Sequence, residues 1–127
     1  MSKKIIKTEK VSLPVGPYNQ GVCIGNLIYT AGQIPLDRLG NMVKGGIKEQ
    51  TQQVLENVKS VLEAGGSSLD KVIKATVFLK DLNDFAAMNE IYSQYFKSEN
   101  APARSTIQVA RIPKDSLVEI EVVAIVP

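Results

Sequence analysis

The 127-residue chain contains no histidine and no tryptophan, and Cys23 is its only cysteine. Catalytic triads that depend on histidine are therefore excluded. A zinc site is disfavoured as well, because zinc ions in proteins take most of their ligands from cysteine and histidine. One cysteine cannot form an intrachain disulfide. Any proton transfer near neutral pH must rely on Glu, Asp, Tyr, Lys or bound water.

The chain also lacks a large excess of charge of one sign and long apolar runs. The formal net charge is only +2, too small for the basic excess that nucleic-acid-binding surfaces carry. No apolar run approaches the ~20 residues of a membrane span, and the first residues have no apolar core typical of a signal peptide. We expect a soluble, cytoplasmic protein with one domain over residues 1–127 and no membrane partner.

Two segments show the 3.6-residue apolar period of helices that bury one face. The first begins at Ile47, continues to Leu62 and ends before Gly65, since glycine commonly follows a helix. Asn83 is the predicted N-cap of the second. The apolar face of this second helix consists of Phe85, Met88, Tyr92, Tyr95 and Phe96.

The other regular segments are predicted strands, which gives the order β-β-β-α-β-α-β-β and an α+β fold. The strands are predicted at residues 5–6, 21–24, 27–33, 72–79, 103–110 and 117–126. Two helices can cover only one face of such a sheet. Because an uncovered apolar sheet face is typical of an interface, the pattern predicts a homo-oligomer.

Arg104 and Glu119 are candidate functional residues on two of these strands. Alternation along the strand places Arg104, Thr106 and Gln108 on one face. The planar fork of Arg104 matches a carboxylate ligand, although an ordinary salt bridge would also explain it. Glu119 is either an acid–base group or part of a solvated rim. A simple hairpin between the two strands would place Glu119 opposite Gln108, so spacing alone builds no site.

Three further positions have both a functional and a structural interpretation. Tyr18 follows a Gly-Pro loop and offers a ligand an apolar ring with a polar tip, or it packs the loop. Gly32 permits a close backbone approach to a ligand, or it marks a strand end. Asn89 lies beside the apolar face of the second helix and orients a substrate or caps a neighbour. Cys23 is interpreted as a small buried apolar residue.

Short motifs recur in order along almost the whole chain. They are Gly16-Pro17-Tyr18 with Gln20-Gly21, then Ala31-Gly32-Gln33-Ile34-Pro35, then Lys74-Ala75-Thr76-Val77-Phe78 with Lys80-Asp81-Leu82. The most specific part is Pro102-Ala103-Arg104-Ser105, followed by residues 109–115 and Val118-Glu119-Ile120-Glu121. Together these segments resemble the RidA family, also called the YjgF family, of reactive intermediate deaminases.

The resemblance implies a chorismate-mutase-like α+β fold, with about six strands and two helices on one face of the sheet, and a homotrimer with substrate pockets between subunits. It also implies hydrolysis of 2-iminopropanoate and 2-iminobutanoate, or their enamine tautomers, to 2-keto acids and ammonia. The partners are thus a small imino or keto acid and further copies of the chain. Such hydrolysis needs no cofactor and no metal, because the substrate carries its own electrophilic C=N bond.

The resemblance also assigns roles by position. Arg104 corresponds to the carboxylate-binding arginine, and Glu119 to a glutamate that positions the attacking water. Tyr18, Gly32 and Asn89 correspond to residues that line or flank the pocket. The chain departs from many relatives at Thr106, where they have cysteine, and at Ala31, where some have serine. Thr106 keeps a hydroxyl that can bond to substrate or water, whereas a mechanism that needs a thiol is placed in doubt.

Two other functions compete with the deaminase. Members of the same family have been described as endoribonucleases or translation inhibitors, although the small net charge and absent histidine argue against RNA cleavage. The other is a non-catalytic regulatory trimer that binds carboxylates through Arg104. The sequence does not separate this last function from the enzyme.

Overall fold

A computed structural model describes residues 2–127 of the chain as one six-stranded sheet with two helices on one side. The elements are β1 (Lys4–Ile6), β2 (Gly21–Ile24), β3 (Leu27–Thr30), α1 (Ile47–Ala64), β4 (Val72–Leu79), α2 (Phe85–Tyr95), β5 (Ala103–Gln108) and β6 (Val118–Ile125). The strand order across the sheet is β1-β2-β3-β6-β4-β5. The predicted α+β fold and element order are confirmed.

Helix α1 covers the middle of the sheet with the face that its periodicity predicts. Its core-facing residues include Val54, Leu55, Val58, Val61 and Leu62, each with no exposed side-chain area. The helix ends at Ala64 and Gly65 is its C-cap, as expected. A Cβ at Gly65 would stand 2.7 Å from the Cδ1 atoms of both Ile6 and Ile28. This glycine therefore lets the helix end lie directly on β1 and β3.

Helix α2 begins differently from the prediction at Asn83. The Asp81 carboxylate accepts a hydrogen bond of 2.9 Å from the Asn83 backbone N–H, which caps a short 3₁₀ turn over Leu82–Asp84. The α-helix itself starts at Phe85 and buries Met88 and Tyr92. Asn83 is thus inside the preceding turn. Both residue types favour capping, so the sequence alone did not distinguish them.

Strand β6 occupies the centre of the sheet, between β3 and β4, and pairs with both in antiparallel fashion. Val118, Ile120, Val122 and Ala124 alternate toward the helices and are buried. Strand β5 lies at the sheet edge and runs parallel to β4. The hairpin considered for β5 and β6 is therefore absent, and Glu119 pairs with Phe78 instead of Gln108.

The sheet face away from the helices, named the open face, keeps large apolar side chains exposed. Those exposed by 36–51% are Ile5, Ile24, Tyr29, Ile107 and Ile125. Two helices cover only one face, as predicted. The homo-oligomer inferred from this face stays a prediction. No helix within residues 2–127 combines the length and apolarity that crossing a membrane requires.

Candidate functional site

Arg104 lies on edge strand β5 with its side chain on the helix-covered side of the sheet. Its Nη1 donates a hydrogen bond of 2.7 Å to Oδ1 of Asn89 on α2. Its guanidinium carbon stands 4.5 Å from the ring centroid of Tyr92 and 5.5 Å from that of Phe85. The four residues Phe85, Asn89, Tyr92 and Arg104 are named the Arg104 cluster.

The guanidinium of Arg104 has no acidic partner within residues 2–127. The ion pairs found there are Lys48–Glu90 and Arg111–Asp115. The salt-bridge interpretation of Arg104 therefore has no partner in the described chain. A half-buried arginine needs compensation for its lost hydration, and here a neutral amide and aromatic rings supply it. Its remaining N–H groups are available to an anion.

Two hydroxyl groups near Arg104 are buried without a hydrogen-bond partner among the described residues: those of Tyr92 and Thr106. Burial raises the pKa of the Tyr92 phenol, and the positive charge of Arg104 opposes that rise. Thr106 shares the face of Arg104, two residues further along β5. The structure thus places Thr106 beside the Arg104 cluster, with its hydroxyl turned inward.

A cavity of about 470 Å³ opens on the other side of the sheet and is named the Glu119 pocket. Its lining includes Tyr18, Ala31, Gly32 and Glu119, together with Pro113 and Lys114. Apolar residues from the chain between β1 and β2 form one wall: Leu13, Pro14 and Val15. Three of the six predicted site residues, Tyr18, Gly32 and Glu119, therefore share one cavity.

Glu119 is held against the backbone of Gly32. A Cβ at Gly32 would stand 2.8 Å from Cδ of Glu119 and would overlap its carboxylate oxygen. Next to this contact, Gln33 and Ile120 exchange two backbone hydrogen bonds of 2.8 and 3.1 Å. Burial raises the pKa of the Glu119 carboxyl, and the nearby charge of Glu121 raises it further. Gly32 thus makes room for the Glu119 carboxylate, and the closer approach of a ligand to its backbone stays a prediction.

Gln20 holds the wall of the pocket, a role that the sequence analysis did not assign. The residue is 3% exposed. Its Oε1 accepts from the Thr8 N–H at 2.7 Å, and its Nε2 lies 3.1–3.3 Å from the carbonyls of Thr8, Val11 and Ser12. The signal in the sequence was weak: one amide residue directly before a strand, in a motif that received no specific role.

The segment 111–116 closes another part of the pocket and has an uncommon backbone. Lys114 and Asp115 have φ values of 58° and 55°, in a region that residues other than glycine seldom occupy. Arg111 binds the Asp115 carboxylate at 2.8 and 3.3 Å, and this pairing lowers the pKa of Asp115. Several local bonds therefore hold the pair of left-handed residues at the pocket.

The predicted site residues fall into two groups that do not meet within one chain. Tyr18, Gly32 and Glu119 line the Glu119 pocket on the open-face side. Arg104, Asn89 and Thr106 lie on the helix-covered side. Strand β4 separates β5 from β6, and Glu119 pairs with Phe78 whereas Arg104 pairs with Ala75, three residues earlier. A single chain therefore keeps the two groups of predicted site residues apart.

Comparisons with known proteins agree over nearly the whole length. A family model described as Endoribonuclease L-PSP matches residues 8–126. A RutC family protein of Pyrococcus abyssi is 56% identical over 125 residues, covering 98% of each chain. A 2-iminobutanoate/2-iminopropanoate deaminase of Salmonella typhimurium is 47% identical, covering 96% of this chain and 97% of its own. The crystal structure of Escherichia coli TdcF with bound serine has a TM-score of 0.90 at 46% identity, covering 96% of this chain and 98% of its own.

Proposed function

The chain belongs to the Endoribonuclease L-PSP family, in agreement with the RidA resemblance of its sequence, and we propose that it hydrolyses reactive 2-imino acids to 2-keto acids and ammonia. The observation that carries this proposal is Arg104: half-buried, bonded to Asn89, and without an acidic partner in residues 2–127. The relative named as an imine deaminase is 47% identical. Its substrates, 2-iminopropanoate and 2-iminobutanoate, are the ones proposed here.

Arg104 binds the substrate carboxylate. A guanidinium offers parallel N–H donors at the spacing of carboxylate oxygens. Asn89 engages one nitrogen and leaves the others free. The TdcF relative, whose structure contains bound serine, also takes a ligand that has a carboxylate. Fixing this group places the adjacent C=N carbon at a defined position, and such positioning of the reacting atoms lowers the barrier of the reaction.

Glu119 supplies the base. It takes a proton from a water molecule as the water oxygen adds to the carbon of the protonated C=N bond, and the nitrogen becomes a neutral amine. Glu119 then returns that proton to the amine, the C–N bond breaks and ammonia leaves. The hydroxyl group left on carbon gives its proton to Glu119 as the C=O bond forms. The raised pKa of Glu119, caused mainly by burial, makes its carboxylate a better proton acceptor near neutral pH. The reaction consumes one water and needs no redox step.

A complete site requires two chains. We place Arg104, Asn89 and Thr106 of one subunit against Tyr18, Gly32 and Glu119 of its neighbour in a homotrimer. The exposed apolar side chains of the open face support association, since contiguous apolar surface of this kind marks interfaces. The separation of the two groups of predicted site residues within one chain gives a second reason.

A coupled assay tests the activity. Threonine dehydratase generates the imine, and release of 2-oxobutanoate is followed with and without the protein. The native protein is expected to accelerate release, and Arg104→Ala to lower kcat/KM by about 100-fold or more, because two charge-assisted hydrogen bonds are lost. Arg38→Ala removes an exposed arginine outside the pocket and should keep full activity. No acceleration by the native protein, or full activity of Arg104→Ala, would contradict the proposal.

Mixing two inactive variants tests the shared site. Arg104→Ala and Glu119→Gln are each refolded alone and then refolded together. In a mixed trimer, about a quarter of the interfaces combine an intact Arg104 with an intact Glu119, so about a quarter of the native activity should return. If both residues acted within one chain, mixing would restore none. Each variant refolded alone is the control.

The family description favours a second function, RNA cleavage. A net charge of +2 and the absence of histidine count against it. Metal-free cleavage assays on the purified protein separate the two functions. RNA cleavage that is lost in Arg104→Ala would support the nuclease, whereas cleavage that persists in that variant indicates a contaminant.

A third function uses the same two groups of residues without turnover, as a carboxylate-binding regulatory trimer. Calorimetric binding of 2-oxobutanoate by a protein that does not accelerate imine hydrolysis would favour it over the deaminase. Loss of that binding in Arg104→Ala would locate the ligand at the Arg104 cluster.

A further inference from the structure

The aromatic residue under Arg104 is fixed more firmly than the arginine itself. Tyr92 is 5% exposed, and its ring packs on Phe96 with centroids 4.6 Å apart. Both residues belong to the core between α2 and the sheet. The surface that the guanidinium meets at 4.5 Å is therefore part of the packed core.

Three contacts restrict the guanidinium, and the Phe85 ring, at 5.5 Å, is the more distant of the two aromatic ones. The Tyr92 ring contacts it as a cation–π partner, an attraction that strengthens when water is excluded. Asn89 Oδ1 holds Nη1 within hydrogen-bonding distance, at 2.7 Å. An arginine side chain normally loses considerable rotamer freedom on binding a ligand. Here much of that freedom is already removed before the ligand arrives, which raises affinity without any new ligand contact.

We propose that Tyr92 is a positioning residue: its ring and the Asn89 amide together hold the Arg104 guanidinium in the orientation that binds a small carboxylate. The inference rests on the proposed carboxylate-binding role of Arg104. Tyr92 acts through Arg104 and touches no ligand itself, since its hydroxyl is buried. The proposal assigns the positioning to the ring, which faces the guanidinium at 4.5 Å.

The Tyr92 hydroxyl supplies the conservative variant. It has no hydrogen-bond partner among the described residues, and an unpaired buried hydroxyl destabilises a protein. Tyr92→Phe removes this group and keeps the ring, so ligand affinity should be native and the Tm equal or higher. Tyr92→Leu keeps an apolar side chain and removes the π face. Its Kd for 2-oxobutanoate should rise about tenfold, which corresponds to losing one cation–π contact and the orientation it gives.

A control variant separates positioning from general core damage. Phe96→Leu removes the ring that packs on Tyr92 and leaves the contacts of Arg104 unchanged. It should lower the Tm about as much as Tyr92→Leu, with little change in Kd. In the deaminase assay, Tyr92→Leu should raise KM about tenfold with kcat nearly unchanged, because the carboxylate is held alike in the ground state and the transition state.

A ligand-free measurement makes the test independent of the proposed activity. Nitrogen-15 relaxation of the Arg104 Nε–H group reports its motion directly. We expect an order parameter near 0.85, typical of rigid groups, in the native protein and Tyr92→Phe, and below about 0.6 in Tyr92→Leu. Equal order parameters in native protein and Tyr92→Leu would overturn the inference. So would equal rises in Kd for Tyr92→Leu and Phe96→Leu. Failure of the deaminase itself would appear instead as absent turnover by the native protein.

Discussion

The Glu119 pocket and the Arg104 cluster are held by different kinds of contact. The pocket is built mainly from loop backbone: Gln20 bonds to three backbone carbonyls and one N–H, and Gly32 admits a carboxylate against its Cα. The cluster is built from side chains on regular elements, since Arg104 projects from β5 and meets Asn89 and Tyr92 on α2.

Because of this difference, we expect substitutions in the pocket to change mainly the free energy of unfolding and substitutions of the polar residues in the cluster to change mainly ligand affinity. A substitution that frees a loop leaves backbone groups unpaired, so its effect should appear in the free energy of unfolding. A substitution of Arg104 or Asn89 leaves the backbone and the core intact and should change ligand affinity with a smaller effect on folding. Substitutions at four residues that line the Glu119 pocket test the stability side of that division, and we expect their effects to decrease in the order Gln20, Gly32, Lys114 and Glu119.

The largest effect should come from Gln20→Leu. The variant keeps side-chain size and removes every hydrogen bond to the 8–12 segment, so the free energy of unfolding should fall by about 2–4 kcal/mol. Urea denaturation measures it. Asn89→Leu, which removes one hydrogen bond in the cluster, should cost only about 1 kcal/mol, and exposed Gln52→Leu should cost less. If Gln20→Leu and Asn89→Leu lowered the free energy of unfolding equally, the pocket and the cluster would not differ in their contribution to stability.

The next effect should come from Gly32→Ala. The new Cβ overlaps the Glu119 carboxylate, so Glu119 must move, at a cost of about 1–3 kcal/mol for the crowded site. Deaminase turnover should fall with it. Gly46→Ala is the matched control, because no atom lies within 4 Å of a Cβ built there. A variant with native stability and turnover would show that Glu119 does not depend on this contact.

Lys114→Gly should stabilise the protein. Glycine adopts the φ of 58° without the steric cost that lysine bears. Glycine also has more conformational freedom in the unfolded chain, which reduces the gain. The free energy of unfolding should therefore rise by about 0.5–1 kcal/mol. Lys97→Gly, at a φ of −81°, should destabilise by a similar amount. Thermal unfolding measures the Tm of both variants. A lower Tm for Lys114→Gly as well as for Lys97→Gly would contradict the prediction.

The smallest effect should come from Glu119→Gln and should depend on pH. Burial raises the folded-state pKa of Glu119 above its ordinary 4.5, so the folded state binds the proton more tightly than the unfolded state. Ionised Glu119 therefore destabilises the fold above this raised pKa, and the penalty disappears as the pH falls below 4.5. The variant should gain less than about 1 kcal/mol at pH 7, since solvent screens a half-exposed carboxylate. An equal gain at pH 4 would contradict this origin.

The fold was largely predictable where one periodicity dominates a segment. The apolar stripe of α1 and the alternation of β6 gave correct elements, and Gly65 marked the helix end. Pairing was not predictable in the same way. Strand β5 follows α2 and enters parallel to β4, as a crossover connection allows, while β6 pairs between β3 and β4. Local sequence patterns do not indicate which distant strands pair with each other.

The site was predictable by residue type and resemblance but not by geometry. Alternation correctly placed Arg104 and Thr106 on one face, yet it could not say that this face lies under the helices while Glu119 faces the other way. Tyr92 was recognised only as a core residue, because its contact with Arg104 joins a helix to a strand. Gln20 was missed for a related reason: a buried amide that binds loop carbonyls leaves no periodic signal.

The central position of β6 has a consequence for biosynthesis. Strand β6 leaves the ribosome after the other five strands, yet β3 and β4 are joined only through it. Until then the nascent chain consists of a three-stranded meander and a separate β4–β5 pair, and each has an open edge that can pair with other chains. The sheet can therefore close only once β6 is available, and a chain that lacks β6 leaves the facing edges of β3 and β4 unpaired.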